Sequence, residues 1–200
     1  WARKHRGDFS IFLSSSTEPF VPQEARCGVT RALLSAMGEA PPDVLIVQTH
    51  SHLVLDHLGQ FQALGERCAL RVQVSIETDR EELPGLPASF SSIDSRFEAA
   101  RRLREAGIET VVTVAPLLPI RDEEVFFERI AECADAVVLD HFIGGDGSPS
   151  GSRTRRTPLP AKMESLQPGS TELSYRDRMV ELARRRPPGR VGVGIDGFAG

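Results

Sequence analysis

The chain has 200 residues, enough for one domain with a sizeable core, and 40% hydrophobic with 26% charged residues excludes wholesale disorder. A formal charge of −4 argues against a strongly basic, duplex-coating protein, and a solvated helix face accounts for the clusters at Arg101, Arg102 and Arg104 and at Arg184 to Arg186. No apolar run approaches the roughly 20 residues of a membrane helix and no signal peptide is visible, so a cytoplasmic protein without membrane contact is expected.

Apolar, β-branched runs recur at residues 9–13, 44–47, 70–74, 110–115, 136–139 and 191–195. Short, nearly continuous apolar runs suit parallel strands buried on both faces. Helical stretches lie between them. Residues 23–37 place Val29, Leu33 and Met37 on one face, and residues 54–64 do the same with Leu55, Leu58, Phe61 and Leu64. Residues 93–106 turn Phe97, Ala100 and Leu103 inward and end at Gly107, suited to a left-handed C-cap. Asp122 can cap the next helix, which buries Val125, Phe126, Ile130 and Cys133 or their neighbours. Residues 144–169, rich in Gly, Pro, Ser, Thr and Arg, show no period and read as a long irregular loop, functional or mobile. A helix over 172–185 leads to the last strand. The alternation predicts an α/β fold, either a (β/α) barrel or a doubly wound sheet with right-handed crossovers, in one domain over residues 1–200.

In such folds chemistry gathers at the carboxyl ends of the strands. The exits here are polar: Ser14 to Glu18 after the first strand, Gln48 to His52 after the second, Ser75 and Glu77 after the third, Asp140 and His141 after the fifth, Asp196 after the sixth. Pro19 and Pro22 stiffen the first exit and would hold Glu18 on a rigid support, where its carboxylate can accept from an ammonium group. Cys27, Cys68 and Cys133 are odd in number and widely spaced, and read as reduced thiols.

Ser16 to Glu24, followed by Thr30-Arg31, resembles the segment S-x-T-D-P-Y-x-P-x-E … T-R of the radical S-adenosylmethionine enzymes related to spore photoproduct lyase. Val47 to Leu55 resembles that family's V-T-K-S-x-L-V-L, and Val74 to Thr78 its V-S-I-x-T. Arg96, Glu98 and Ala99 through Gly107 resemble R-x-E-A … L-x-x-A-G, and Val114 to Pro119 resembles V-A-P-x-x-P. The likeness covers about residues 10 to 140. It implies a partial TIM-type (β/α) barrel of mostly parallel strands, incomplete at its N-terminus, which binds S-adenosylmethionine beside a [4Fe–4S] cluster. Reductive cleavage then yields a 5′-deoxyadenosyl radical, with electrons from a donor such as flavodoxin or ferredoxin.

By the same resemblance, Glu18 contacts the amino group of the cofactor's methionine part, flanked by Ser16 and Thr17. His50 stands where the family has a Lys for the cofactor carboxylate. Ser75 and Glu77 take ribose and carboxylate contacts, Arg96 can pair with the carboxylate, and Val114, Pro116 and Leu117 lie along the adenine. The family's C-x3-C-x2-C cluster motif is absent; the chain opens on Trp1 rather than Met, and cluster ligands are expected in a preceding segment. The substrate stays open, nucleic acid included. Two other readings stand beside this one: a metal-dependent barrel hydrolase using His50 and His52, and a non-catalytic barrel fragment that binds a small molecule.

Overall fold

In the computed structural model, which describes residues 7–14, 17–83, 89–186 and 190–199, six strands form one sheet. They are β1 (Ser10–Leu13), β2 (Val44–Thr49), β3 (Ala69–Ser75), β4 (Glu109–Val114), β5 (Ala136–Leu139) and β6 (Val191–Val193). Every neighbouring pair is parallel, and the spatial order is the chain order. Without a reversal of strand order the sheet has no doubly wound switch point; it is a sector of a (β/α) barrel, with β1 and β6 as its edges.

The register gives the sheet two unlike faces. Leu45, Val47, Leu70, Val72, Val74, Val112, Val114, Val137 and Leu139 point one way, into the core shared with helix residues such as Leu34, Phe61, Phe97, Phe126 and Met179. The alternate positions on the inner face include Gln48, Gln73, Ser75 and Thr113. Burying one Val or Leu side chain contributes about 1.5–3 kcal/mol, so a one-residue slip that moved these amides and hydroxyls into the apolar layer would cost many times that. The burial pattern therefore fixes which residues face the inside of the barrel.

The helices hold several differences from the periodicity. Residues 23–37 are not one helix. Gly28 adopts φ 62°, in the left-handed region, and divides α1 (Glu24–Cys27) from α2 (Val29–Glu39). Restarting the helix resets its phase: Thr30, Leu34 and Met37 are buried, while Val29 and Leu33 are exposed. Two bonds set that phase, Thr30 Oγ1 to the Pro19 carbonyl (2.8 Å) and the Arg31 N–H to the Glu24 carboxylate (3.0 Å). The next helix starts as a 3-10 turn (His52–His57) before α3 (Leu58–Gly65), and there Val54, Phe61 and Leu64 are buried and Leu55 and Leu58 only partly so.

The caps expected farther on are present. Gly107 has φ 80° after α4 (Ile93–Glu105), and Asp122 Oδ1 accepts from the Val125 N–H (3.1 Å) at the start of α5 (Glu123–Cys133). In α5 Phe126 and Phe127 are both buried and Val125 is exposed. The stretch 144–169 is not wholly irregular: it contains a 3-10 turn (Thr154–Arg156) and α6 (Leu159–Leu166), whose Met163 packs with Leu118 and Phe142 in a small second core. One buried residue in an eight-residue helix leaves no period to read. After α7 (Leu173–Arg184), β6 stops at Val193, and α8 (Gly194–Ala199) packs across β5 and β6 on their inner side. Gly192 and Gly197 permit that crossing, since a Cβ on Gly197 would stand 2.9 Å from Gly192 Cα and 3.0 Å from Val138 Cγ1. Among the described residues no helix is long and apolar enough to cross a membrane.

Candidate functional site

Three consecutive strand exits converge on one chain of charged groups. Glu18 follows β1, and its position is set by the buried Phe20 ring two residues on, which packs against Phe61 and His57. Its carboxylate takes three hydrogen bonds: the Phe20 N–H (3.0 Å) and the Thr49 hydroxyl (2.7 Å) on Oε1, and the His50 N–H (2.7 Å) on Oε2. The ends of β1 and β2 are thus tied through one side chain. His50, half-exposed, turns its Nε2 to Glu77 Oε1 at 2.8 Å, while its Nδ1 stands 3.9 Å from Glu18 Oε2. The other Glu77 oxygen accepts from Arg96 of α4 (3.0 Å), and the same Arg96 nitrogen donates to the Ser75 carbonyl (2.9 Å). Arg96 is buried, and its Nε has no partner among the described residues.

The hydrogen bond that His50 donates to Glu77 raises its pKa against the lowering effect of burial, with the charges of Glu77 and Glu18 adding to the rise and Arg96 opposing it. Burial pushes Glu77 up, but its bond to His50 and the charges of His50 and Arg96 outweigh this and hold its carboxyl below the usual range. A raised histidine stabilises the fold fully below its unfolded pKa, about 6.5, and that stabilisation disappears as pH rises through the folded value. The depressed Glu77 contributes above its unfolded pKa and loses its contribution as pH falls through the folded one. Unfolding in urea is therefore expected to show stability falling by less than about 1 kcal/mol from pH 6 to pH 9, since solvent screens a half-exposed ring. A His50→Gln variant with the same alkaline slope would show that the pair is not its source.

The remaining candidates distribute differently. Ser75 is fully buried on the inner face, its hydroxyl bonded to Gln48 Nε2 (3.2 Å) and Thr113 Oγ1 (2.9 Å), so it supports the floor rather than opening on a ligand. Val114 and Leu117 point into the helix-side core and would offer a ligand only their backbone; Pro116 lines a cavity on the inner side. Thr17 is exposed, its carbonyl accepting from the Ser14 hydroxyl. Ser16 lies outside the described residues. Sequence reasoning missed Thr49 as the clamp on Glu18; its position at the end of an alternating strand, buried beside a polar exit, was the available signal.

Compared with solved structures, the chain matches several forms of one enzyme. Spore photoproduct lyase complexed with dinucleoside spore photoproduct aligns over 93% of this chain and 60% of its own, at 18% identity and TM-score 0.56. A mutant of the same enzyme with one cysteine replaced by alanine, also with dinucleoside spore photoproduct, aligns over 93% and 61%, at 18% identity and TM-score 0.58. A cysteine-to-serine mutant aligns over 93% and 60%, at 15% identity and TM-score 0.57. The chain shares its fold with spore photoproduct lyase. It spans about 60% of the length of those structures. No protein-family model matches the chain, and no curated protein does.

The sequence resemblance implies two groups, S-adenosylmethionine and an iron–sulfur cluster, and each can be compared with the residues present. An amino-acid zwitterion fits the cradle: Glu18 is a rigid acceptor with a lone-pair direction to spare, and Arg96 and His50 bring positive charge. An iron–sulfur cluster does not fit: Cys27 is exposed at the end of α1, Cys68 precedes β3 and Cys133 is buried at the end of α5. Burial pushes the Cys133 thiol up to about 12, the opposite of what a thiolate ligand needs. Nor do the histidines of the hydrolase reading share a target. His50 faces Glu77, His52 bonds Ser91 Oγ (2.9 Å), and among the described residues no group of three His, Cys, Asp or Glu is placed to hold a metal ion.

Proposed function

We propose that the chain is the S-adenosylmethionine-binding barrel of a radical S-adenosylmethionine enzyme. One observation carries the reading: the run Glu18, His50, Glu77, Arg96 links three adjacent strand exits of a barrel sector whose fold is that of spore photoproduct lyase. Glu18 accepts from the cofactor's ammonium group, and His50 with Arg96 faces its carboxylate. The inner-face hydroxyls of Ser75 and Thr113 support the floor beneath. A [4Fe–4S] cluster would supply one electron for cleavage of the cofactor's sulfonium into methionine and a 5′-deoxyadenosyl radical. The three free cysteines of this chain are not arranged to hold it, and its thiolates would have to come from outside this chain. The electron donor is a small redox protein of the flavodoxin or ferredoxin kind.

The test is anaerobic reconstitution of the full-length protein with iron and sulfide, followed by S-adenosylmethionine and a strong reductant. Iron–sulfur absorbance and formation of 5′-deoxyadenosine are expected. A reconstituted protein that holds no iron, or that holds it and releases no 5′-deoxyadenosine, ends the proposal.

A further inference from the structure

At the amino end of the strands, opposite the charged run, the inner face of the sheet bounds a further cavity of about 320 Å³. Val111, Ala136 and Val138 give it an aliphatic wall, and α8 closes one side where Gly197 crosses Gly192. Arg71, near the start of β3, and Arg190, just before β6, border it together. Chemistry in (β/α) barrels gathers at the other end of the strands, so the charged run leaves these two arginines unexplained.

Both arginines are short of acceptors. Arg71 Nη2 reaches Glu109 Oε1 at 3.4 Å, near the outer limit of a hydrogen bond, and Arg190 Nη2 meets the same oxygen at 3.1 Å. Two forks of N–H donors therefore share one carboxylate oxygen. Arg71 Nε is buried and has no partner among the described residues, in a side chain only 18% exposed. A purely structural clamp would set one guanidinium fork across both carboxylate oxygens. Here the pairing leaves one positive charge in excess, and a second anion would offset the desolvation of Arg71. Asp196, exposed on α8, also borders the cavity and disfavours a ligand with two negative charges. No aromatic ring stands among the described lining residues, so the body that suits these walls is aliphatic.

We propose that this cavity binds a small aliphatic monocarboxylate, its carboxylate held by Arg71 and Arg190 and its hydrocarbon body laid on Val111, Ala136 and Val138. The inference is independent of the proposed function: a protein that never cleaves S-adenosylmethionine still has this site, and loss of the site leaves the cofactor reading intact.

Three probes titrated calorimetrically into the protein test it: 4-methylpentanoate, its neutral amide, and acetate. The acid is expected to bind roughly tenfold or more tightly than the amide, which lacks the charge that the arginines complement. Acetate should be weaker than 4-methylpentanoate by a similar factor, because it leaves the aliphatic wall uncovered. Arg190→Gln, at a side chain 58% exposed, should weaken the acid roughly tenfold, and Arg71→Gln should do so by more. Glu109→Gln removes the carboxylate that competes for both arginines and should tighten binding several-fold. Thermal unfolding shows whether each variant is folded, and a rise in melting temperature with 4-methylpentanoate, absent with the amide, gives a second readout. Equal affinity for acid and amide, or no binding of the acid, overturns the proposal. Acetate binding as well as 4-methylpentanoate would show anion pairing at surface arginines and no site. Unchanged affinity in the folded Arg190→Gln protein, or weaker binding by a folded Glu109→Gln protein, also ends it.

Discussion

Glu18→Gln is expected to weaken S-adenosylmethionine binding by roughly 10- to 100-fold, the range that loss of a charge-assisted hydrogen bond gives. Two physical losses add. The charge that attracts an ammonium group is removed, and the new amide cannot satisfy its surroundings. Glu18 is held by donors, the Phe20 N–H, the Thr49 hydroxyl and the His50 N–H. A glutamine turns an NH2 toward one side of that ring of donors, and at least one of them loses its acceptor. Thr49→Val separates the two effects, because it removes one donor and keeps the charge. It is expected to weaken binding several-fold less than Glu18→Gln does, through a looser carboxylate. Calorimetric titration of the three proteins reads this directly. Equal affinity in wild type and Glu18→Gln would remove Glu18 from the cofactor site.

That Glu18, His50, Glu77 and Arg96 meet was legible because the first three each stand a short step past a strand, and a parallel repeat puts all strand exits on one side. The same logic gave position and not orientation. Ser75 was counted as a ligand contact through the family resemblance, and the alternation of β3 makes it an inner-face residue held by Gln48 and Thr113. Val114 belongs to the helix-facing set of β4 together with Val112, and Leu117 turns back into the same core. Helix phase was lost at Gly28, because a periodicity count runs through a glycine that the backbone uses to stop and restart. By contrast, Asp122 and Gly107 were readable as caps, since capping depends on residues within a turn of each other. Local chemistry was visible; long-range orientation required the register.

Replacing Arg96 by methionine is expected to cost about 3–5 kcal/mol of stability, the usual result of breaking a buried ion pair from one side. Arg96 and Glu77 are 6% and 13% exposed at their side chains, and the Arg96 nitrogen that meets Glu77 also satisfies the Ser75 carbonyl. Methionine fills much of the volume, so the loss is electrostatic rather than a cavity. Glu77 keeps His50 on its other oxygen, which places the cost toward the lower end at pH 6 and higher toward pH 9, as the ring loses its proton. Arg96→Lys should fall between, because a single ammonium group keeps the charge without the planar guanidinium geometry. The control is the double variant Arg96→Met with Glu77→Leu. If the penalty is the stranded carboxylate, removing it recovers part of the loss, and the double variant is more stable than Arg96→Met alone. Urea unfolding at both pH values measures all of these. Additive losses in the double variant would show that Arg96 acts through packing, and that the charged run across the three strand exits is not what holds α4 against the barrel.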